Sequence, residues 1–354
     1  MEVVELVIAL GVILLAAELF TNGIEWFGHK LNLAEGAVGS VLAAVGTALP
    51  ETMIPLVAIL FAGTRGEHGA GHEIGVGAIL GAPFMLSTLA MFVTGVGVLA
   101  YAGRRRSGRS MPVDTHVLGL DIRYFFVAYA IAVAAAFVPQ QFEWLRYVAV
   151  VAVVGIYAWY VKSHFEADTT VDATDLAPLR FRRIDRRQYL ADPEGHPRLR
   201  VVNLQVLVAL ALIIGGAFVF VDGVEHISTN LGLDPALLAL IIAPIATELP
   251  EKFNSILWIR QNKDTLAMGN ITGAMVFQSC IPTAIGIGLA TDAWTFSSGT
   301  LLSFASAGIA FLSTAAIFLP MARRGTLSGT HLLIGGLFYV LYVALVVARL
   351  AGLF

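Results

Sequence analysis

The sequence predicts an all-α polytopic membrane protein, with ten transmembrane helices arranged as two inverted five-helix repeats. Three features predict this fold class: the composition, the spacing of the apolar segments and a duplicated stretch of sequence. Of the 354 residues, 57% are hydrophobic and 13% are charged, and the mean hydropathy is +0.79. This composition excludes a soluble globular protein. The single cysteine, Cys280, excludes an internal disulfide, and the net charge of -3 offers no basic surface to nucleic acid.

Apolar segments long enough to cross a bilayer follow one another along the chain. Crossing the hydrocarbon core takes roughly 17–25 mostly apolar helical residues. Asp121 and Arg123 stand at the start of the weakest segment, and 162–200 is instead an arginine-rich aqueous loop between two groups of five spans. The ten spans lie near residues 3–20, 36–62, 74–102, 122–137, 144–161, 201–220, 235–258, 264–290, 298–319 and 332–347.

The basic residues predict the orientation of these spans. Cytoplasmic loops retain more Lys and Arg than external loops do. With ten spans, seventeen basic residues fall on one side of the membrane, and only Arg65, Arg146 and Arg349 fall on the other. Both termini are therefore expected outside and the 164–200 loop in the cytoplasm. We expect a multi-pass protein in the plasma membrane of a prokaryote.

One stretch of sequence occurs twice. Residues 20–51 align without a gap on residues 220–251, at an offset of 200, and ten of the 32 positions are identical. Five predicted spans separate the two copies, so the second copy enters the membrane from the opposite side. Inverted repeats of this kind place a site where it can be exposed alternately to each face.

The duplication also predicts how the chain is divided. We expect a first five-helix half at 1–163 and a second at 201–354, joined by the cytoplasmic loop 164–200. The repeated segments within the halves would span about 36–100 and 235–290.

Glu51 and Glu251 are predicted near the middle of the second and seventh spans. A carboxylate at this depth costs at least about 2.5 kcal/mol, so it needs a cation or a proton. Pro50 and Pro250 lack an N–H and should interrupt each helix, which would free carbonyl oxygens. Alternatively, each glutamate is protonated or paired in a packed bundle, and the prolines only kink the helices.

Further oxygens could complete a calcium site, since Ca²⁺ takes six to eight hard oxygen ligands. Asn270 and Gln278 lie about two turns apart on one predicted helix face. Glu248 precedes Lys252 by four residues, a spacing that favours a structural ion pair over a ligand. The other expected contributors are the hydroxyls of Thr47 and Thr247 and the carbonyls of Ala43 and Ala243.

Two copies of one motif resemble a known family. GTALPET at 46–52 and ATELPEK at 246–252, each followed by GxxxGA in the next span, resemble the alpha-repeats of the sodium/calcium exchanger superfamily of calcium:cation antiporters. The resemblance implies that Glu51 and Glu251 coordinate Ca²⁺ and that Na⁺ or H⁺ competes for them. It also implies backbone and hydroxyl ligands, which would be Ala43, Thr47, Ala243 and Thr247. No cofactor is expected, and the partners are the lipid bilayer and metal cations.

Several positions depart from the family pattern. The family places a serine and an Asn or Asp in the GxxxGA segments, and these places hold Ala82 and Leu86 in the first repeat. They hold Ala274 and Gln278 in the second. Fewer side-chain oxygens than usual therefore surround the expected site.

The function predicted from these features is secondary-active exchange of Ca²⁺ for Na⁺ or H⁺. A passive or decayed cation pathway is one alternative, because of Ala82 and Leu86. An intramembrane hydrolase is another, but it would need neither the doubled helix breaks nor the inverted halves.

Two other polar segments are interpreted as non-catalytic. His68, His72 and Glu73 have a spacing that a transition-metal or entrance site could use, but the glycines among them favour a solvated loop. The arginines of 104–109 are interpreted as a topological anchor that contacts lipid headgroups.

Overall fold

The computed structural model describes residues 2–30, 48–61, 70–165, 176–186, 190, 197–232, 248–260 and 262–351. The α-helices of these residues are α1 (Glu2–Lys30), α2 (Leu49–Phe61), α3 (Ala70–Met85), α4 (Met91–Tyr101), α5 (Thr115–Ala135), α6 (Trp144–Phe165), α7 (Leu199–Leu231), α8 (Leu249–Arg260), α9 (Asp264–Leu289), α10 (Leu301–Arg324), α11 (Gly329–Leu332) and α12 (Ile334–Leu350). A π-helical turn, Leu86–Ala90, joins α3 to α4, and β1 (Ser110–Met111) pairs antiparallel with β2 (Leu327–Ser328).

Eight stretches of helix in the described part of the chain are long and apolar enough to cross a membrane. The protein is therefore an almost entirely helical, multi-pass membrane protein, as the composition predicts. The two other predicted spans, 36–62 and 235–258, lie partly outside the described residues, and their described parts are the short helices α2 and α8. The number of ten spans stays a prediction.

The fourth predicted span is misplaced at its start. Helix α5 begins at Thr115, seven residues before the predicted start at 122, because the Asp114 carboxylate caps it by accepting from the backbone N–H of His116 at 2.8 Å. Asp121 consequently lies within the helix and not at its mouth, and it is completely buried.

Two other sequence interpretations also need correction. Helix α3 begins at Ala70, so His72 and Glu73 lie in its first turn and not in a loop, and His72 Nδ1 lies 2.8 Å from Asp292 Oδ1. His68 lies outside the described residues. Part of the predicted aqueous loop is packed against helices: Trp26 Nε1 donates to Ala177 O at 2.8 Å, and Leu179 is buried.

Helices α1 and α7 pack against each other in antiparallel orientation. A Cβ added to Gly23 would lie 2.8 Å from Val206 Cγ2, and one added to Gly223 would lie 3.3 Å from Leu6 Cδ1. From the first contact to the second, the residue numbers fall along α1 and rise along α7, so the two helices are antiparallel. Glycines allow this close approach because they have no side chain at the contact.

The motif helices lie at the centre of the bundle. In the spans Gly71–Tyr101 and Ala267–Leu289, 83% and 78% of an 18-residue apolar stretch is buried inside the protein. The value is 22% for Trp144–Ser163 and for Gly329–Arg349, so these two helices offer most of their surface to lipid. The centre is therefore formed by the glycine-rich segments that follow α2 and α8.

Two buried arginines, Arg105 and Arg146, form hydrogen bonds near the two ends of α9. At its start, the Arg105 guanidinium donates to both carboxylate oxygens of Asp264 at 2.7 Å and to Ile259 O at 2.8 Å. Beyond its end, Arg146 donates to Thr291 O at 2.6 Å. The interpretation of the arginines of 104–109 as headgroup contacts is thus wrong for Arg105, whose charge is neutralised inside the protein.

Candidate cation-binding site

Helices α2 and α8 begin at equivalent positions, Leu49 and Leu249. Pro50 and Pro250 therefore occupy the first helical turn, where a proline needs no hydrogen-bond acceptor and its fixed φ suits a helix start. The preceding residues Ala48 and Glu248 are in turn conformation. The predicted interruption next to each proline thus coincides with a helix start in both repeats.

Glu51 lies in the first turn of α2 and is 5% exposed. The positive end of the helix dipole favours a negative charge at this place. Glu251 holds the equivalent position in the first turn of α8, and its side chain lies outside the described part of the structure. Thr47, Thr247, Ala43 and Ala243 also lie outside the described residues.

Gln278 brings α9 to the start of α2. Its side chain is 1% exposed, and Nε2 donates to Ala48 O at 3.4 Å. Asn270, two turns earlier on α9, is also buried. These contacts place one of the two predicted amide side chains within one helical turn of Glu51.

The two amides hold buried atoms that lack hydrogen bonds. Within the described residues, three of these atoms have no hydrogen-bond partner: Nδ2 and Oδ1 of Asn270 and Oε1 of Gln278. A buried polar atom without a partner costs about 1–3 kcal/mol. An ordered water would supply a partner to each of these atoms, and a hard cation could be bound only by the two amide oxygens, whose lone pairs accept no hydrogen bond.

Glu248 and Lys252 form the predicted ion pair. Lys252 Nζ donates to Glu248 Oε2 at 2.9 Å, and both side chains are almost fully buried. The equivalent residues of the first repeat are Ala48 and Thr52, and there Thr52 Oγ1 donates to Ala48 O at 3.0 Å. In both repeats the side chain at the second position, Thr52 or Lys252, therefore contacts the residue four positions earlier, but only the second repeat carries charge in this contact.

The positions that depart from the family pattern are buried and apolar. Ala82, Ala274 and Leu86 are each at most 2% exposed. The hydroxyls of Ser87 and Thr88, which follow Leu86, both donate to Phe84 O, at 3.0 and 2.6 Å. Ala82, Leu86 and Ala274 themselves therefore supply no side-chain oxygen to the site.

Asp121 is the buried acid that sequence reasoning missed. Tyr160 Oη donates to its Oδ1 at 3.0 Å, and Thr272 Oγ1 donates to its Oδ2 at 2.6 Å. The signal that could have located it is the N-cap at Asp114, which predicts an earlier helix start and places Asp121 inside the span. Among the described residues, no group of three His, Cys, Asp or Glu side chains lies close enough to hold a metal.

Comparison with known proteins finds similar sequences. A family model described as sodium/calcium exchanger protein matches residues 2–162 and 202–351. A 126-residue stretch is 30% identical to the "Putative antiporter CaxA" of Alkalimonas amylolytica, covering 34% of this chain and only 37% of that protein. An uncharacterized membrane protein of Methanocaldococcus jannaschii is 20% identical over 282 residues, which is 77% of this chain and 78% of that one.

Solved structures share the fold at low sequence identity. The H⁺/Ca²⁺ exchanger CAX superposes with a TM-score of 0.72 and 17% identity, covering 98% of this chain and 82% of the exchanger. The sodium-calcium exchanger NCX_Mj superposes with a TM-score of 0.59 and 15% identity, covering 97% of both chains. At these identities the likeness concerns the fold alone.

Proposed function

The chain belongs to the sodium/calcium exchanger protein family, and from that membership we propose that it is a secondary-active antiporter that exchanges Ca²⁺ for Na⁺ or H⁺. The family consists of transporters, so the hydrolase alternative falls away. The observation that carries the proposal is the burial of Glu51 in the first turn of α2, one turn from the contact with Gln278. A buried carboxylate and a buried amide side chain near the same helix start suit a dehydrated divalent cation.

Reciprocal contacts between α1 and α7 support the inverted-repeat arrangement. Gly23 meets Val206, and Gly223 meets Leu6. The two glycines are 200 residues apart, and so are the two side chains that they meet. A twofold axis between antiparallel helices produces this pattern. Such an axis would place Glu51 and Glu251 on opposite sides of one shared site, reached alternately from the two faces of the membrane.

Exchange follows if Ca²⁺ and the counter-ion use the same carboxylates. The proposed ligands are Glu51 and Glu251, with Thr47, Thr247 and the carbonyls of Ala43 and Ala243. Asn270 and Gln278 supply amide oxygens from α9. Because the two ions cannot occupy the carboxylates together, release of one requires capture of the other. Glu248 is assigned to the ion pair with Lys252 and not to the ligand set.

Between the two counter-ions, the surroundings of the site favour H⁺. A bound Na⁺ needs several oxygen ligands, whereas a proton needs only a carboxylate. Ala82, Leu86 and Ala274 withhold side-chain oxygens where the family pattern supplies them. The same three positions support the second candidate, a passive cation pathway without coupling.

Flux measurements on purified protein in vesicles separate these possibilities. Vesicles are loaded with ⁴⁵Ca²⁺, and efflux is measured with Na⁺, H⁺ or neither in excess outside. Antiport predicts efflux that requires Na⁺ or H⁺ in excess outside and that stops when neither is supplied. Efflux only down the Ca²⁺ gradient, unaffected by Na⁺ and pH, would reject antiport in favour of the passive pathway.

A further inference from the structure

Asp121 lies outside the motif segments and is nevertheless completely buried within α5. An acidic residue inside a membrane span costs free energy, and it usually pairs with another group and serves a function. Tyr160 reaches the carboxylate from α6, and Thr272 reaches it from α9. One carboxylate thereby connects three helices, and one of them carries Asn270 and Gln278.

Thr272 lies on the side of α9 that faces away from the two amides. At 100° per residue, Asn270 and Gln278 are about 80° apart around the helix axis, whereas Thr272 is about 160° from Asn270 and about 120° from Gln278. Gln278 points toward the start of α2, where it contacts Ala48. The hydrogen bond to Asp121 therefore restrains α9 on the side opposite to the one that carries the two amides.

Even a small rotation of α9 would move its side-chain ligands away from a bound cation. A side-chain atom at a radius of about 6 Å from the axis moves about 1 Å for each 10° of rotation. Calcium–oxygen distances fall within a range of only about 0.3 Å, so such a movement would remove a ligand.

The bond between Thr272 and Asp121 is suited to prevent this rotation. Its oxygen atoms are 2.6 Å apart, and a hydroxyl bound to a carboxylate is a short and directional contact. The neighbouring Gly269 and Gly273 carry no side chain that could interlock with another helix. In this turn of α9, the hydrogen bond supplies the directional restraint.

We propose that Asp121 is a positioning residue, which fixes the rotation of α9 through Thr272 and thereby sets the affinity of the site for Ca²⁺. This inference rests on the proposed function, because it takes Asn270 and Gln278 to face the cation. It assigns no ligand role to Asp121 itself.

Two conservative substitutions test the proposal, because each removes one hydroxyl donor from the same carboxylate. Thr272→Val removes the donor on α9, and Tyr160→Phe removes the donor on α6. Equilibrium binding of ⁴⁵Ca²⁺ to the purified, full-length protein is measured together with its thermal stability. Loss of the restraint on α9 should raise the Kd for Ca²⁺ roughly tenfold in Thr272→Val, the size expected for one charge-assisted hydrogen bond. Tyr160→Phe should keep the wild-type Kd, and Thr272→Ser should restore it.

A merely structural role predicts similar losses of stability in Thr272→Val and Tyr160→Phe and no difference between their Kd values. Equal Kd values in these two variants, or an unchanged Kd in Thr272→Val, would overturn the positioning role. The proposed function fails by a different result, since protein that binds Ca²⁺ but shows no counter-ion-driven flux in vesicles is not an antiporter. The binding comparison remains decisive in that case.

Discussion

Gly23 on α1 contacts Val206 on α7, and its partner 200 residues later, Gly223, contacts Leu6 on α1. Two glycines at equivalent positions therefore face two side chains that are also at equivalent positions. The first helices of the two halves meet through a reciprocal interface, although few of their other residues are identical. This interface is the strongest support for relating the halves by a twofold axis.

Close packing of α1 on α7 predicts a large difference between two adjacent glycines. A Cβ at Gly216 would lie 2.6 Å from Ile13 Cγ1, whereas a Cβ at Gly215 would meet nothing within 4 Å. Gly216→Ala should lower the free energy of unfolding by about 1–3 kcal/mol through overpacking. Gly215→Ala should be neutral or should stabilise by up to about 1 kcal/mol, because alanine favours helix. Thermal unfolding followed by tryptophan fluorescence measures both, and equal effects would contradict this packing.

The clamp between Arg105 and Asp264 predicts that neighbouring arginines differ in importance. Both side chains of the clamp are almost completely buried, whereas Arg104 is exposed. Arg105→Gln should destabilise the protein by about 3–5 kcal/mol, because it leaves the Asp264 carboxylate buried without its cation. Arg104→Gln should have little effect. Thermal stability in the same detergent compares the two, and a similar loss from Arg104→Gln would show that burial is not the cause.

The ion pair between Glu248 and Lys252 predicts strong coupling between the two residues. Lys252→Met should cost about 3–5 kcal/mol by leaving the buried carboxylate without its ammonium group. The double variant Glu248→Gln with Lys252→Met should recover most of that loss. The four free energies of unfolding form a double-mutant cycle. Additive losses would mean that the contact at 2.9 Å contributes nothing beyond packing.

The predicted orientation can be tested with single cysteines, because Cys280 is buried. Arg186 and Glu143 are exposed and lie in connections predicted on opposite sides of the membrane. In intact cells, a membrane-impermeant maleimide should label Glu143→Cys, and it should label Arg186→Cys only after the cells are lysed. Labelling of Arg186→Cys from outside would invert the orientation.

Local sequence patterns predicted the features that depend on local contacts. The apolar runs located eight membrane-crossing helices, the spacing of Glu248 and Lys252 predicted their ion pair, and Pro50 and Pro250 marked two helix starts. Each of these depends on residues within one or two helical turns. Gln278 was also expected near the site, through the face that it shares with Asn270.

The sequence did not reveal contacts between distant segments. Asp121 is separated from Tyr160 by 39 residues and from Thr272 by 151, and Arg105 is separated from Asp264 by 159. A charge that ends an apolar run has the same pattern whether it meets water or a distant partner. Burial of Asp121 and Arg105 could therefore be recognised only from the packed helices.

The central claim is that Glu51 and Glu251 together hold the transported cation, and ⁴⁵Ca²⁺ exchange by their glutamine variants tests it most directly. Glu51→Gln and Glu251→Gln keep the side-chain volume but remove the charge, so each should lower exchange by at least about 100-fold, as expected for a lost ligand to a divalent cation. The matched variant Glu18→Gln, at an exposed acid of α1, should exchange at the wild-type rate. Undiminished exchange in folded Glu51→Gln or Glu251→Gln protein would contradict the account.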